Sequence, residues 1–98
     1  LDLPLAVSEQ LYRIVQEALN NTLKHAHATA VTVEFQAVPP AAYRILVADN
    51  GRGFDAMATA EGYGLAGMRE RAAAIGARLS IEAAPGKGTR VVIEGDRG

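Results

Sequence analysis

Cysteine is absent from the 98-residue chain, and so is tryptophan. Without cysteine there are no disulfides and no thiolate metal sites, a composition that fits a reducing compartment. Histidine occurs only as His25 and His27, too few for a histidine-rich metal centre. Positive charge is not in excess: ten Lys and Arg stand against eleven Asp and Glu, a formal net charge of −1. With an isoelectric point near 6.1, the chain lacks the basic footprint of a nucleic-acid partner. No run approaches the roughly 18–20 apolar residues of a membrane span, and no secretory leader pattern opens the chain. Repeats, low-complexity tracts and interdomain linkers are missing as well. What remains is 49% hydrophobic and 21% charged, the balance of a single globular domain long enough for a real core. The opening "LDLPLAV", which lacks Met, and the ending "GDRG" read as those of a domain cut from a longer protein.

Periodicity divides the chain into a few elements. "SEQLYRIVQEALNNTLKHA", residues 8–26, places Leu11, Ile14, Val15, Ala18, Leu19 and Ala26 on a helical stripe, with Ser8 as the expected N-cap and Glu9 in the first turn. "AVTVEFQA" alternates Val31, Val33 and Phe35 against Thr32, Glu34 and Gln36, the pattern of a half-buried strand. "VPPAA" is a turn, and "YRILVAD" is a second strand ending at the turn signal "NG". Residues 54–63 lack periodicity and read as a loop. "LAGMRERAAAIGA" is a helix with Leu65, Met68, Ala72 and Ile75 on one face and Gly76 as its stop signal. The strands "RLSIEAA" and "TRVVIE" follow, joined by the glycine-rich turn "PGKG". The order is helix, strand, strand, loop, helix, strand, strand, which predicts antiparallel pairing in an α+β, two-layer sandwich.

Four clusters carry chemistry. On a wheel of about 100° per residue with Leu11 at zero, the apolar stripe centres near 20°. Glu17, Asn21 and Lys24 fall at about 240°, 280° and 220°, on one polar stripe beside the core face, while Asn20, near 180°, points to solvent. A solvated face usually carries Lys/Glu pairs; here a carboxylate, an amide and an ammonium converge. The Asn21 carbonyl oxygen suits Mg²⁺ and Lys24 suits a phosphate oxygen. An ordinary amphipathic helix is the plain alternative. In "VADNGRGF", Asp49 continues the face of Tyr43, Ile45 and Val47 towards the core and therefore needs a partner, which a ligand amino group could supply. Gly51 and Gly53 allow a ligand close approach to the backbone; a simple "DNG" turn is the alternative. Gly62 and Gly64 precede the helix that begins near Leu65, and such an N-terminus offers free N–H groups to an anion. Thr89 shares its strand face with Val91 and Ile93 and is directed inward, either as satisfied core or towards a ligand.

Two phosphate motifs fail on context. "GYGLAG", residues 62–67, has the dinucleotide fingerprint G-x-G-x-x-G, and Glu82 stands twenty residues beyond Gly62. The preceding strand, however, ends at Asp49, too far upstream for the tight strand–turn–helix geometry the fingerprint requires. Gly67 therefore falls inside a helix as a packing position, and Glu82 alternates with Ile81 on the solvent side. "PGKGT" lacks P-loop spacing and joins two strands.

Taken in order, "QEALNNTLKHA", "DNGRGF", "GYGLAGMRERA" and "GKGTRV" closely resemble the ATP-binding domain of sensor histidine kinases, a branch of the GHKL superfamily shared with gyrase B, Hsp90 and MutL. The resemblance runs from about Ser8 to Glu94, and "GLAGMRERA" is similar to the short-lid subgroup paired with helix-turn-helix response regulators. It implies a Bergerat fold, a mixed or antiparallel sheet with helices on one face, over residues 1–98. It implies Glu17 and Lys24 as catalytic-type residues, Asn21 as Mg²⁺ ligand, Lys24 and His25 at the phosphates, and Asp49 on the adenine amino group. It further implies Gly51, Gly53, Gly62, Tyr63, Gly64, Leu65 and Thr89 around ATP, with residues 54–63 as the lid.

The same resemblance implies transfer of the γ-phosphoryl group to a histidine on a dimerisation domain that this chain lacks, since His25 and His27 lie within and just after the first motif. The implied partners are that domain and a response regulator, with no nucleic acid and no membrane contact by this domain. The implied setting is cytoplasmic, with anchoring of the parent left open. An anti-sigma-type serine kinase, an ATP-sensing module without transfer, and a structural α+β domain stand as alternatives.

Overall fold

The computed structural model describes residues 3–23, 28–38, 42–51, 65–83 and 86–96. Along the chain come α1 (Leu5–Asn21), β1 (Val31–Val38), β2 (Ala42–Asp49), α2 (Leu65–Ala74), β3 (Arg78–Ala83) and β4 (Thr89–Asp96). The strands form one sheet in the order β1-β2-β4-β3, with every neighbouring pair antiparallel. β2 and β4 are neighbours in space but not in sequence, so the chain leaves the sheet after β2, runs through α2, and returns as the β3–β4 hairpin. The expected α+β sandwich is therefore present, and the described sheet is antiparallel rather than mixed.

Alternation along the strands places Tyr43, Ile45 and Val47 of β2 on one face with Val91 and Ile93 of β4. Ile45 lies opposite Ile93 and Val47 opposite Val91. Onto this face pack Leu11, Ile14 and Ala18 from α1 and Leu65, Met68 and Ala72 from α2. Burial of each large apolar side chain contributes roughly 1.5–3 kcal/mol, which makes this single cluster the main support of the fold. The opposite face carries rows such as Gln36, Arg44, Glu94 and Arg78 in register, as suits the solvated side of a two-layer structure.

Two helix boundaries illustrate local chemistry. α1 begins one turn earlier than the Ser8 cap expected from sequence: the Pro4 carbonyl accepts from the N–H groups of Val7 and Ser8 at 3.0 Å. Pro4 itself stands at φ −55 and ψ 145, an extended entry that its ring favours and that leaves no N–H wasted. α2 ends as expected at Gly76, whose φ of 68 permits two reverse bonds, Gly76 N–H to Ala73 at 3.1 Å and Ala77 N–H to Ala72 at 2.9 Å. That pair of bonds is the Schellman closure.

β1 departs from expectation. Its alternating pattern predicts a half-buried strand, yet all eight residues are exposed, Phe35 at 52%. β1 is an edge strand, with α1 set over β2 and α2 over β3. A groove of about 280 Å³ consequently remains between α1 and β1, lined by Leu11, Tyr12, Val15, Val33 and Phe35 among others. Among the described residues no helix is long and apolar enough to cross a membrane.

Candidate nucleotide site

Asp49 is the last residue of β2, and its carboxylate is held from two sides. The Gly51 N–H donates to Oδ1 at 2.8 Å, and the Thr22 hydroxyl donates to Oδ2 at 3.0 Å. The first bond is the local turn that "DNG" encodes. The second ties the end of α1 to the end of β2, two segments 27 residues apart. Thr89 faces Asp49 directly across the β2–β4 pair, on the same side of the sheet. The pairing thus brings Thr89, expected near ATP, beside the carboxylate expected on the adenine amino group, which the Gly51 N–H also holds. An opening of about 590 Å³ at this end of the sheet is lined by Ala48, Asp49, Ile81, Ala83, Gly88 and Thr89, with exposed Glu82, Lys87 and Arg90 beside them. Glu82 is solvent-facing, as its alternation with Ile81 predicts.

Asn50 fixes the neighbouring strand. Its Oδ1 accepts from the N–H groups of Thr29 and Ala30 at 3.0 and 2.9 Å, and its Nδ2 donates to Thr29 Oγ1 at 2.9 Å. The side chain therefore pins the entry of β1 against the exit of β2, a role that reading "DNG" as a turn does not reveal.

A second, polar groove of about 250 Å³ lies between the helices, lined by Arg13, Gln16, Glu17 and Asn20 from α1 and Gly67, Met68 and Arg71 from α2. Arg71 donates to Gln10 Oε1 at 3.0 Å. Since Arg71 meets Gln10 while Gly67 lies alongside Glu17 and Asn20, the helices run antiparallel. The start of α2 therefore lies at the same end of the domain as the close of α1. Glu17 is half-buried in this groove. Asn20, expected to face solvent, is half-buried there too, because α2 lies along that side of α1. Gly67, expected as a packing position, meets nothing within 4 Å where a Cβ would stand. Its lack of a side chain leaves the groove open instead of admitting a close neighbour.

Asn21 closes α1 and is half-buried beside Thr22. Leu65 was expected to contact the ligand, but the residue is only 1% exposed and its side chain belongs to the core. Lys24, His25, Gly53, Gly62, Tyr63 and Gly64, together with the expected lid over 54–63, lie outside the described residues. Sequence reasoning missed Thr22, although a signal existed: on the same wheel it falls at about 20°, the centre of the apolar stripe. A hydroxyl there must find a partner inside the protein, and it finds the Asp49 carboxylate.

With this geometry in place, comparison with known families is direct. The family model described as "Histidine kinase-, DNA gyrase B-, and HSP90-like ATPase" matches residues 6–97. The chain belongs to this family. Sensor protein VraS of Staphylococcus epidermidis is 42% identical over 95 residues, which is 95% of this chain and 27% of that protein. Sensor protein VraS of Staphylococcus aureus strain COL is 43% identical over 93 residues, 93% of this chain and 26% of that protein. The chain thus spans about a quarter of the length of these relatives. Among solved structures, the histidine kinase domain of the Erythrobacter litoralis EL346 blue-light activated histidine kinase superposes with a TM-score of 0.84 at 27% identity, covering 99% of this chain and 48% of that one. The ATP binding domain of PrrB from Mycobacterium tuberculosis gives a TM-score of 0.75 at 28% identity, covering 92% of this chain and 68% of that one. Fold and sequence agree that this is a GHKL domain of the sensor-histidine-kinase kind.

Proposed function

We propose that this domain binds Mg·ATP and donates its γ-phosphoryl group to a histidine on an adjoining dimerisation domain. The observation that carries the reading is the Asp49 carboxylate, pinned by Gly51 and Thr22, faced by Thr89, and lining an opening of about 590 Å³. Such a carboxylate can accept from the exocyclic amino group of adenine. Glu17 lines the groove beside the start of α2, and Asn21 closes α1 at the same end of the domain, where the phosphates would lie. The first N–H groups of a helix have no partner within it, which suits an anion.

The donor set is consistent with the metal. Among the described residues no group of three or more His, Cys, Asp and Glu forms a metal cage. A cation held by the Asn21 carbonyl oxygen would draw its remaining ligands from phosphate and water, which is the habit of Mg²⁺. When bound, Mg²⁺ would neutralise charge on the phosphates. The transfer itself breaks the bond between the γ-phosphorus and its bridging oxygen and forms a bond from that phosphorus to an imidazole nitrogen, with ADP leaving. Little covalent chemistry falls to the protein, so positioning and charge carry the rate. Lys24, His25 and the 54–63 lid belong to the proposal through resemblance, as do a helix-turn-helix response regulator as downstream partner and a cytoplasmic setting.

Calorimetric titration of ATP with Mg²⁺ into the wild-type chain and Asp49→Asn tests the base assignment. Asp49→Asn is expected to weaken ATP by about tenfold or more, since a hydrogen bond to a charged group is worth roughly 1.5–3 kcal/mol. Equal affinities would remove the assignment. Transfer is tested by adding a separate acceptor domain and looking for acid-labile, base-stable phosphate.

A further inference from the structure

The carboxylate that reads the base is the last residue of a strand, so β2 fixes its Cα–Cβ direction but not the plane of its carboxyl group. That terminal torsion is soft and broad. One donor, the Gly51 N–H on Oδ1 at 2.8 Å, would leave the plane free to swing about the bond. The second donor comes from another element, the Thr22 hydroxyl on Oδ2 at 3.0 Å. Thr22 is only 6% exposed, so its hydroxyl has no ready exchange with water. Its other neighbour, the Ala18 carbonyl at 3.3 Å, already accepts the Thr22 main-chain N–H. A hydroxyl has one proton to give, and the carboxylate is both the nearer and the more strongly accepting group.

We propose that Thr22 is a positioning residue for base selection: by holding Oδ2 it fixes the carboxyl plane and leaves a defined lone pair of Asp49 for a purine amino group. This inference rests on the reading of Asp49 as the adenine acceptor. It adds that selectivity for an amino-bearing base depends on the end of α1 as well as on the sheet. The fixation is delivered from the turn that also carries Asn21, so base reading and the phosphate side share one helix end.

The test measures the affinity of the 98-residue chain for ATP and for inosine triphosphate, which has a carbonyl oxygen where adenine has its amino group. Thr22→Val keeps the side-chain shape and removes the hydroxyl; Thr22→Ser keeps the hydroxyl. Thr22→Val is expected to weaken ATP by roughly threefold to tenfold, the worth of one hydrogen bond, and to leave inosine triphosphate unchanged. Thr22→Ser should restore ATP binding. A Thr22→Val chain that binds ATP like the wild type, or that loses both nucleotides by the same factor, overturns the proposal. Asp49→Asn separates this from the underlying reading. If Asp49→Asn changes the ATP-to-inosine-triphosphate ratio while Thr22→Val does not, only the role of Thr22 fails. If neither does, both fail together.

Discussion

Gly88 lies flush against the main chain of Asp49, and a methyl group placed on Gly88 would run into the Asp49 carbonyl oxygen. Gly88 also stands at φ +78, where side chains other than hydrogen are strained. The turn entering β4 is thus pressed onto the strand end that bears the candidate base acceptor. Gly88→Ala is expected to cost about 1–3 kcal/mol, the range for strain and overpacking, and to weaken ATP as well. Denaturant unfolding and calorimetry on the same protein check both halves.

Tyr43 fills the far end of the core, 2% exposed and paired across strands with Gly95. A Cβ on Gly95 would stand 2.5 Å from the Tyr43 hydroxyl oxygen. Gly95→Ala should therefore destabilise by about 1–3 kcal/mol. Tyr43→Phe, which withdraws that oxygen, should recover part of the loss in the double variant, as a thermal melt of each would show.

The same tyrosine sets an alkaline limit. Burial, and then the Asp96 carboxylate, raises the Tyr43 phenol above its ordinary value of 10.0. The folded chain therefore holds the proton more tightly than the unfolded chain. The stability this contributes is fully present below pH 10 and falls as pH climbs from there through the folded value. Tyr43→Phe should flatten this decline. Unfolding midpoints measured across that window would show an unaltered slope if the assignment is wrong.

Asn50 makes three side-chain hydrogen bonds to Thr29 and Ala30. Asn50→Ala should cost about 1–3 kcal/mol, because these bonds are exposed and each is worth roughly 0.5–1.5 kcal/mol. The Thr29 and Ala30 amides should lose protection in hydrogen exchange, while amides at the β2–β4 pairing keep theirs.

Gly67 is the third residue of α2, with open space where a Cβ would go. Gly67→Ala is expected to stabilise the chain by about 0.5–1 kcal/mol, the difference in helix propensity. A destabilised variant would show that the groove beside Glu17 is filled more tightly than its outline indicates.

The architecture was legible in the sequence because its signals are local. Leu65, Met68, Ala72 and Gly76 write a helix and its stop; Tyr43, Ile45 and Val47 write a strand face; the short turn "PGKG" leaves two adjacent strands an antiparallel partner. The order of four short motifs pointed to the family that the comparison then showed. Where reading stopped short, the cause was a neighbour that periodicity does not name. Val33 and Phe35 alternate like half-buried residues, but exposure depends on how far α1 reaches across the sheet. Asn20 turned from solvent to groove because α2 lies along it, and Gly67 proved to be open space for the same reason.

The sequence by itself determined which residues face inward, since burial of apolar surface follows from periods of 3.6 and 2 along one segment. It also placed Asp49 at the end of an inward-facing row. Only the tertiary structure decided what meets Asp49 there: Thr22 from α1, Thr89 from β4 and the backbone at Gly88. A hydrogen bond needs its partners within about 3 Å, and residues 27 apart in sequence reach that distance only when the helix and the sheet have packed.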